Sequence, residues 1–154
     1  MNAAEPNVKV DIDARYRTLL VLWLALLMNV GVLFVVTTLA GSSPSAEVGA
    51  NQLLNFVFGG VGAFAAIISF AVRSKLLQRS VEKQDVGLVQ SALIVGCALC
   101  EVPALLGLIQ RFTVPGNDYF VLFLISALAM ALHFPRRANL VAASYKDPTY
   151  GAAL

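Results

Sequence analysis

Glu101 is the residue whose type and setting could do chemistry, because it is the one acidic side chain inside the long apolar stretch Gly87–Ile109. A helix over about Val86 to Phe112 places it about 3 Å from the helix centre, at 1.5 Å per residue. A carboxylate at that depth in hydrocarbon is costly to ionise. It must be neutral, paired, or turned toward a wet or protein-lined cavity. At 100° per residue, Gln90, Cys97, Glu101, Ala104 and Leu108 share one stripe of that helix. Ala92, Gly96, Cys100, Pro103 and Gly107 form a second stripe of mostly small residues, well over 90° away. Pro103 lacks a backbone N–H, which leaves the Leu99 carbonyl without its usual partner close to Glu101. That carbonyl could accept the carboxyl proton or help to hold a cation; alternatively the proline only shapes packing.

The elements that must position these residues follow from composition. The chain has 154 residues, 58% hydrophobic and 13% charged, with a mean hydropathy of +0.77. A soluble domain this small could not hide so much apolar surface, so the expected fold is all-α: a polytopic membrane protein built as a four-transmembrane-helix bundle. The net charge of +2 says little about partners, because the distribution of the charges matters more than their sum; the apolar composition makes the lipid bilayer the expected partner, and no nucleic acid is expected. Cys97 and Cys100 supply neither a disulfide framework nor a four-ligand zinc site, so no metal and no cofactor beyond a proton or a monovalent cation is expected. Glu5, Asp11 and Asp13 precede the first apolar run, which is longer than a signal h-region; both features argue against a cleavable signal peptide.

In chain order, 1–17 reads as a polar tail and 18–134 as the membrane domain, with spans at about 18–40, 52–72, 86–111 and 119–134. The remainder, 135–154, reads as a second tail with an interfacial segment first and a loose end beyond Lys146. Tyr16 and Trp23 sit near the start of the first span, as interface anchors do. Asn29 lies mid-span, where an amide usually bonds a neighbouring helix. Gly41-Ser42-Ser43-Pro44-Ser45 and Val114-Pro115-Gly116-Asn117-Asp118 are turn signals. Arg73 to Asp85 reads as a charged connection between the second and third spans. The glycine-rich second span offers Gly59, Gly62, Ala63 and Ala66 as a close-packing face for Gly96, Cys100 and Gly107 of the third. Glu101 then faces away from its hairpin partner, toward another helix, another subunit or lipid. In the isolated subunit it is expected to be neutral and to bond a backbone carbonyl, Asn29 or Asn55.

Charge sets the expected orientation. Ten of the eleven Lys and Arg residues fall in the two tails and the middle loop, and the other two loops hold only Arg111. Both termini and the middle loop are therefore expected on the cytoplasmic side, in a bacterial inner membrane.

Ala98-Leu99-Cys100-Glu101-Val102-Pro103-Ala104-Leu105-Leu106-Gly107-Leu108-Ile109 resembles the carboxylate helix of the proteolipid, or c, subunits of rotary ATPases. The preceding glycine-rich helix and charged cytoplasmic loop are similar to that family's hairpin. The resemblance covers Leu53 to Phe112 and leaves the first and fourth spans outside it. It implies that Glu101 matches the ion-carrying carboxylate, with Gln90 and the Leu99 carbonyl as its neighbours.

Three further readings remain open from sequence. Cys97-Ala98-Leu99-Cys100 has the spacing of a membrane thiol redox pair, although cysteine in apolar surroundings is inert. His133, beside Arg136 and Arg137, reads as a surface or interface residue, with haem or pigment ligation as the alternative. The last is a small non-catalytic subunit that packs against other integral membrane subunits, or forms a homo-oligomer, and contributes mainly structure or assembly.

Overall fold

Asp11 starts the first helix by accepting the backbone N–H groups of Asp13 and Ala14, each at 3.1 Å. That bond satisfies two of the donors a helix start leaves open. The computed structural model describes residues 11–40, 48–114 and 116–144, with side chains from residue 52 in the second segment. Five helices follow in order: α1 Ile12–Leu39, α2 Val48–Glu82, α3 Val86–Thr113, α4 Tyr119–Leu132 and α5 Arg137–Ser144. No strand occurs among the described residues. The turn expected over Gly41–Ser45, Pro115, the tail before Asp11 and the end from Lys146 lie outside the described residues.

The protein is therefore all-α, and α1, α3 and the Gln52–Glu82 part of α2 each have the length and apolar character of a membrane span. At 14 residues, α4 rises only about 21 Å. With α5 it makes a fourth apolar element broken by a 47° bend.

Two boundaries differ from the sequence expectation. α1 begins at Ile12, inside the expected tail, because Asp11 caps it and the following residues are compatible with helix. α2 runs on to Glu82 through the stretch expected to be a charged connection. Lys, Arg, Leu and Gln are all strong helix formers, so charge alone does not break the helix. The actual turn is Lys83-Gln84-Asp85. Gln84 takes a left-handed conformation, φ 51°. The Asp85 N–H closes onto the Ser80 carbonyl at 3.0 Å, and the Asp85 side chain accepts Gly87 N–H at 2.8 Å.

α3 is the central element and packs against α1, α2, α4 and α5. Its small stripe of Ala92, Gly96, Cys100, Pro103 and Gly107 is wholly buried. α1 is held at its edge. Trp23 Nε1 donates to the Met130 carbonyl at 2.9 Å, and Phe34 packs edge-on against Phe123. α5 folds back onto the bundle through Leu140 and Ala143, and Arg137 pairs with Asp13 at 2.8 Å on the surface. The outward faces of α1 and α2 are large apolar side chains, among them Val21, Met28, Val32, Phe56, Phe64 and Ile67.

Candidate functional site

Glu101 sits half-buried on α3, and its Oε1 is enclosed by the protein with no hydrogen-bond partner. The amide side chains expected to bond it do not reach it. Asn55 Nδ2 donates to Asp118 Oδ2 at 2.7 Å, and Asn55 Oδ1 accepts from Gln110 Nε2. Asn29 lies on the exposed side of α1. Gln90 shares the stripe of Glu101 but is about 16 Å away along the helix axis, where it is exposed beside Arg15 and Thr18. At the proline, Ser126 Oγ donates to the carbonyl of Cys100 at 2.6 Å rather than to that of Leu99. The structure thus does not bring Glu101, Gln90 and Leu99 together as one polar site.

A different group of polar residues does converge. Ser69 and Arg73 on α2, Cys100 on α3, and Ser126 and His133 at α4 meet on the side of Glu101 nearer the α2–α3 turn. Cys100 Sγ donates to Ser69 Oγ at 3.3 Å and lies 3.6 Å from His133 Nδ1. Ser69 Oγ passes its own proton to the Ala66 carbonyl at 2.6 Å. His133 Nδ1 bonds the Ala129 carbonyl at 2.8 Å, which places the proton on that nitrogen. Arg73 donates to the carbonyls of Leu132, at 3.3 Å, and Phe134, at 3.1 Å.

His133 corrects the sequence expectation. It is completely buried rather than at the surface. Gly96 makes this possible: a Cβ there would stand 2.8 Å from His133 Cδ2 and 3.1 Å from Nε2. The ring fills the groove that the missing side chain opens and also packs on Phe70, with centroids 4.5 Å apart. Its Nδ1 is committed to a carbonyl, and its Nε2 is enclosed by the protein without a hydrogen-bond partner. Cys97 and Cys100 are free and wholly buried, with the accessibility of core residues. No group of three or more His, Cys, Asp or Glu that could hold a metal ion occurs among the described residues.

The small residues expected to join α2 to α3 divide among several neighbours. A Cβ on Gly62 would meet Pro103 of α3 at 3.4 Å, but Leu122 of α4 sooner, at 2.8 Å. Gly96 accommodates His133 and Arg73, and Cys100 reaches Ser69. Gly107 faces α4, where a Cβ would lie 3.0 Å from the Phe123 ring. Ala66 is buried, Ala63 is half-buried, and Gly59 opens onto free space. The cause is α4. It lies in the groove beside the α2–α3 pair and takes up part of both small faces.

Spacing carried a signal for the cluster. Ser69 and Arg73 are four apart, Ser126 and His133 seven apart, so each pair shares a helix face. The polar atoms that remain are on other surfaces. On α1, Ala25, Asn29, Val32 and Val36 follow i, i+4, i+7, i+11 spacing and are all exposed. Asn29 is about 5 Å from the middle of that helix. Comparison of the chain with protein-family models, with curated proteins and with solved structures finds no match.

Proposed function

We propose that this chain is a small four-span integral membrane protein, with both termini and the α2–α3 turn cytoplasmic, that serves as a non-catalytic subunit of a larger membrane assembly. The observation that carries the reading is Asn29. An amide halfway along an exposed apolar helix would face hydrocarbon, where an unmet donor and acceptor are expensive. A polar atom there is satisfied by a second transmembrane helix, and such bonds are a known means of holding helices together. α1 suits that role. Only Leu19, Val30 and Thr37 are buried on it, so most of its surface is free for a partner.

The test is purification in mild detergent followed by native mass spectrometry. The wild type should carry other membrane subunits, or a second copy, in fixed ratio. Asn29→Leu should release them while leaving the circular dichroism spectrum unchanged. A wild type that is a lone monomer, or an Asn29→Leu variant that keeps its partners, would overturn the proposal. Orientation is checked by cysteine labelling at Gln84 and Asn117, both exposed in turns. The two should react from opposite sides.

One observation favours a second reading, that Glu101 carries a proton or a monovalent cation. Its Oε1 is enclosed without a partner from the protein, and a neutral carboxyl or a bound cation would each relieve that. A protonated carboxyl band in the infrared, lost in Glu101→Gln, supports it. A band absent from the wild type argues for the purely structural role.

A further inference from the structure

At the end of the bundle away from the α2–α3 turn, a cleft of about 360 Å³ opens between α2, α3 and α4. Asp118 stands at its rim, at the N-cap position of α4, where an aspartate ordinarily accepts an N–H of its own helix. It makes no such bond. Its carboxylate instead crosses to α2 and accepts from Asn55. A carboxylate only accepts, so Asn55 must turn its NH2 to Asp118 and its oxygen to Gln110. Gln110 must in turn give its NH2 to Asn55, which leaves its Oε1 without a partner in a residue only 4% exposed. The hydrogen bonds run one way, and the acceptor character of Asp118 and Gln110 is what remains. The nearest cation in the sequence, Arg111, is held over the Tyr119 ring, 5.1 Å from its centroid, and does not line the cleft.

The walls are apolar. Phe56 and Val121 are 73% and 56% exposed, so the mouth opens on the outer flank of the bundle. A Cβ on Gly59 would meet nothing within 4 Å, and this keeps the space open.

We propose that the cleft binds the primary ammonium group of an amphiphile, with Asp118 as ion partner and the flank of Phe56 and Val121 receiving its chain. An ammonium group donates and never accepts, which matches this lining; a phosphate or carboxylate would meet acceptors and be repelled. The same group is carried by an aminophospholipid headgroup and by a free alkylamine. The lipid source rests on the membrane reading above, whereas the cleft itself does not depend on Asn29.

The experiment measures the unfolding temperature of the full chain in detergent during titration with octylamine, dihexanoyl phosphatidylethanolamine or dihexanoyl phosphatidylcholine. Saturable stabilisation by either primary amine, and not by the choline lipid, is expected. Response to phosphatidylethanolamine but not octylamine identifies a lipid source, and response to octylamine alone a free amine. Asp118→Asn should weaken the apparent affinity about tenfold or more. Gly59→Leu should fill the cleft and abolish the response without lowering the unfolding temperature of the unliganded protein, since no neighbour lies within 4 Å of a Cβ there. Equal response to phosphatidylcholine, or undiminished binding in Asp118→Asn, overturns the proposal. If Asp118→Asn fails to fold, unchanged binding in Gly59→Leu overturns it alone.

Discussion

Alanine at Gly96 should destabilise the protein by about 1 kcal/mol, whereas alanine at Gly59 should stabilise it by about the same amount. Both changes remove a glycine from a helix interior, which by itself favours folding by about 0.8–1 kcal/mol. At Gly59 nothing opposes that gain, since the new methyl group has no neighbour within 4 Å. At Gly96 the methyl would lie 2.8 Å from His133 Cδ2 and 3.1 Å from Nε2. The ring cannot swing aside without breaking its 2.8 Å bond to the Ala129 carbonyl and leaving Phe70. The end of α4 would have to move with it, and overpacking of this kind costs about 1–3 kcal/mol. The two variants should differ by about 2 kcal/mol, or roughly thirtyfold in the ratio of folded to unfolded protein. Unfolding by SDS titration from mixed micelles measures this, read by circular dichroism and by the fluorescence of Trp23, the only tryptophan. Trp23 bonds the Met130 carbonyl and so reports the docking of α1 on α4. A Gly96→Ala variant as stable as Gly59→Ala would refute the close approach of His133 and with it the account of the buried cluster.

Arg73→Met keeps the length of the side chain but withdraws its bonds from the Leu132 and Phe134 carbonyls. It should lose about 1–3 kcal/mol in the same titration. Gln84→Gly should gain up to about 1 kcal/mol, because glycine adopts the left-handed turn without the strain that a Cβ brings. N-ethylmaleimide should label neither Cys97 nor Cys100 in the folded protein and both after denaturation; rapid labelling of the native state would contradict their burial.

The helices were legible in the sequence because long apolar runs broken by Gly, Pro and Asp clusters leave few alternatives. The limits of α2 were harder to read, since Arg73, Lys75 and Arg79 signal a departure from apolar surroundings and not the end of a helix. The packing partners were partly hidden. A helical wheel separates the Glu101 stripe of α3 from its small stripe, but it says nothing about which helix covers either. The structure sets α4 against Gly107 and Gly62 together, so the two small faces do not simply match each other. His133 reads as a surface residue in the sequence because its chain neighbours Arg136 and Arg137 suggest one. The deciding feature is the missing side chain at Gly96, on a different helix, and no reading along one segment could have paired the two. The link between Gln110 and Asp118 is hidden in the sequence for the same reason. Each looks like an ordinary residue at a helix end until Asn55 connects them.

The buried polar cluster has a physical explanation that requires no chemistry. α4 rises only about 21 Å, and the carbonyls of its last turn have no partners within the helix, so they take donors from elsewhere. Each carbonyl of the last turn has a donor. Ala129 receives His133 Nδ1, Met130 receives Trp23 Nε1, Ala131 receives the Phe134 N–H, and Leu132 receives Arg73. An indole, an imidazole and a guanidinium from three parts of the chain thus finish one short helix. His133 and Arg73 are thereby accounted for as closing groups of the fold. The same bonding logic leaves three buried acceptors unmet among the described residues, Glu101 Oε1, Gln110 Oε1 and, inside the cluster itself, His133 Nε2, and the first two stand at different levels of the bundle.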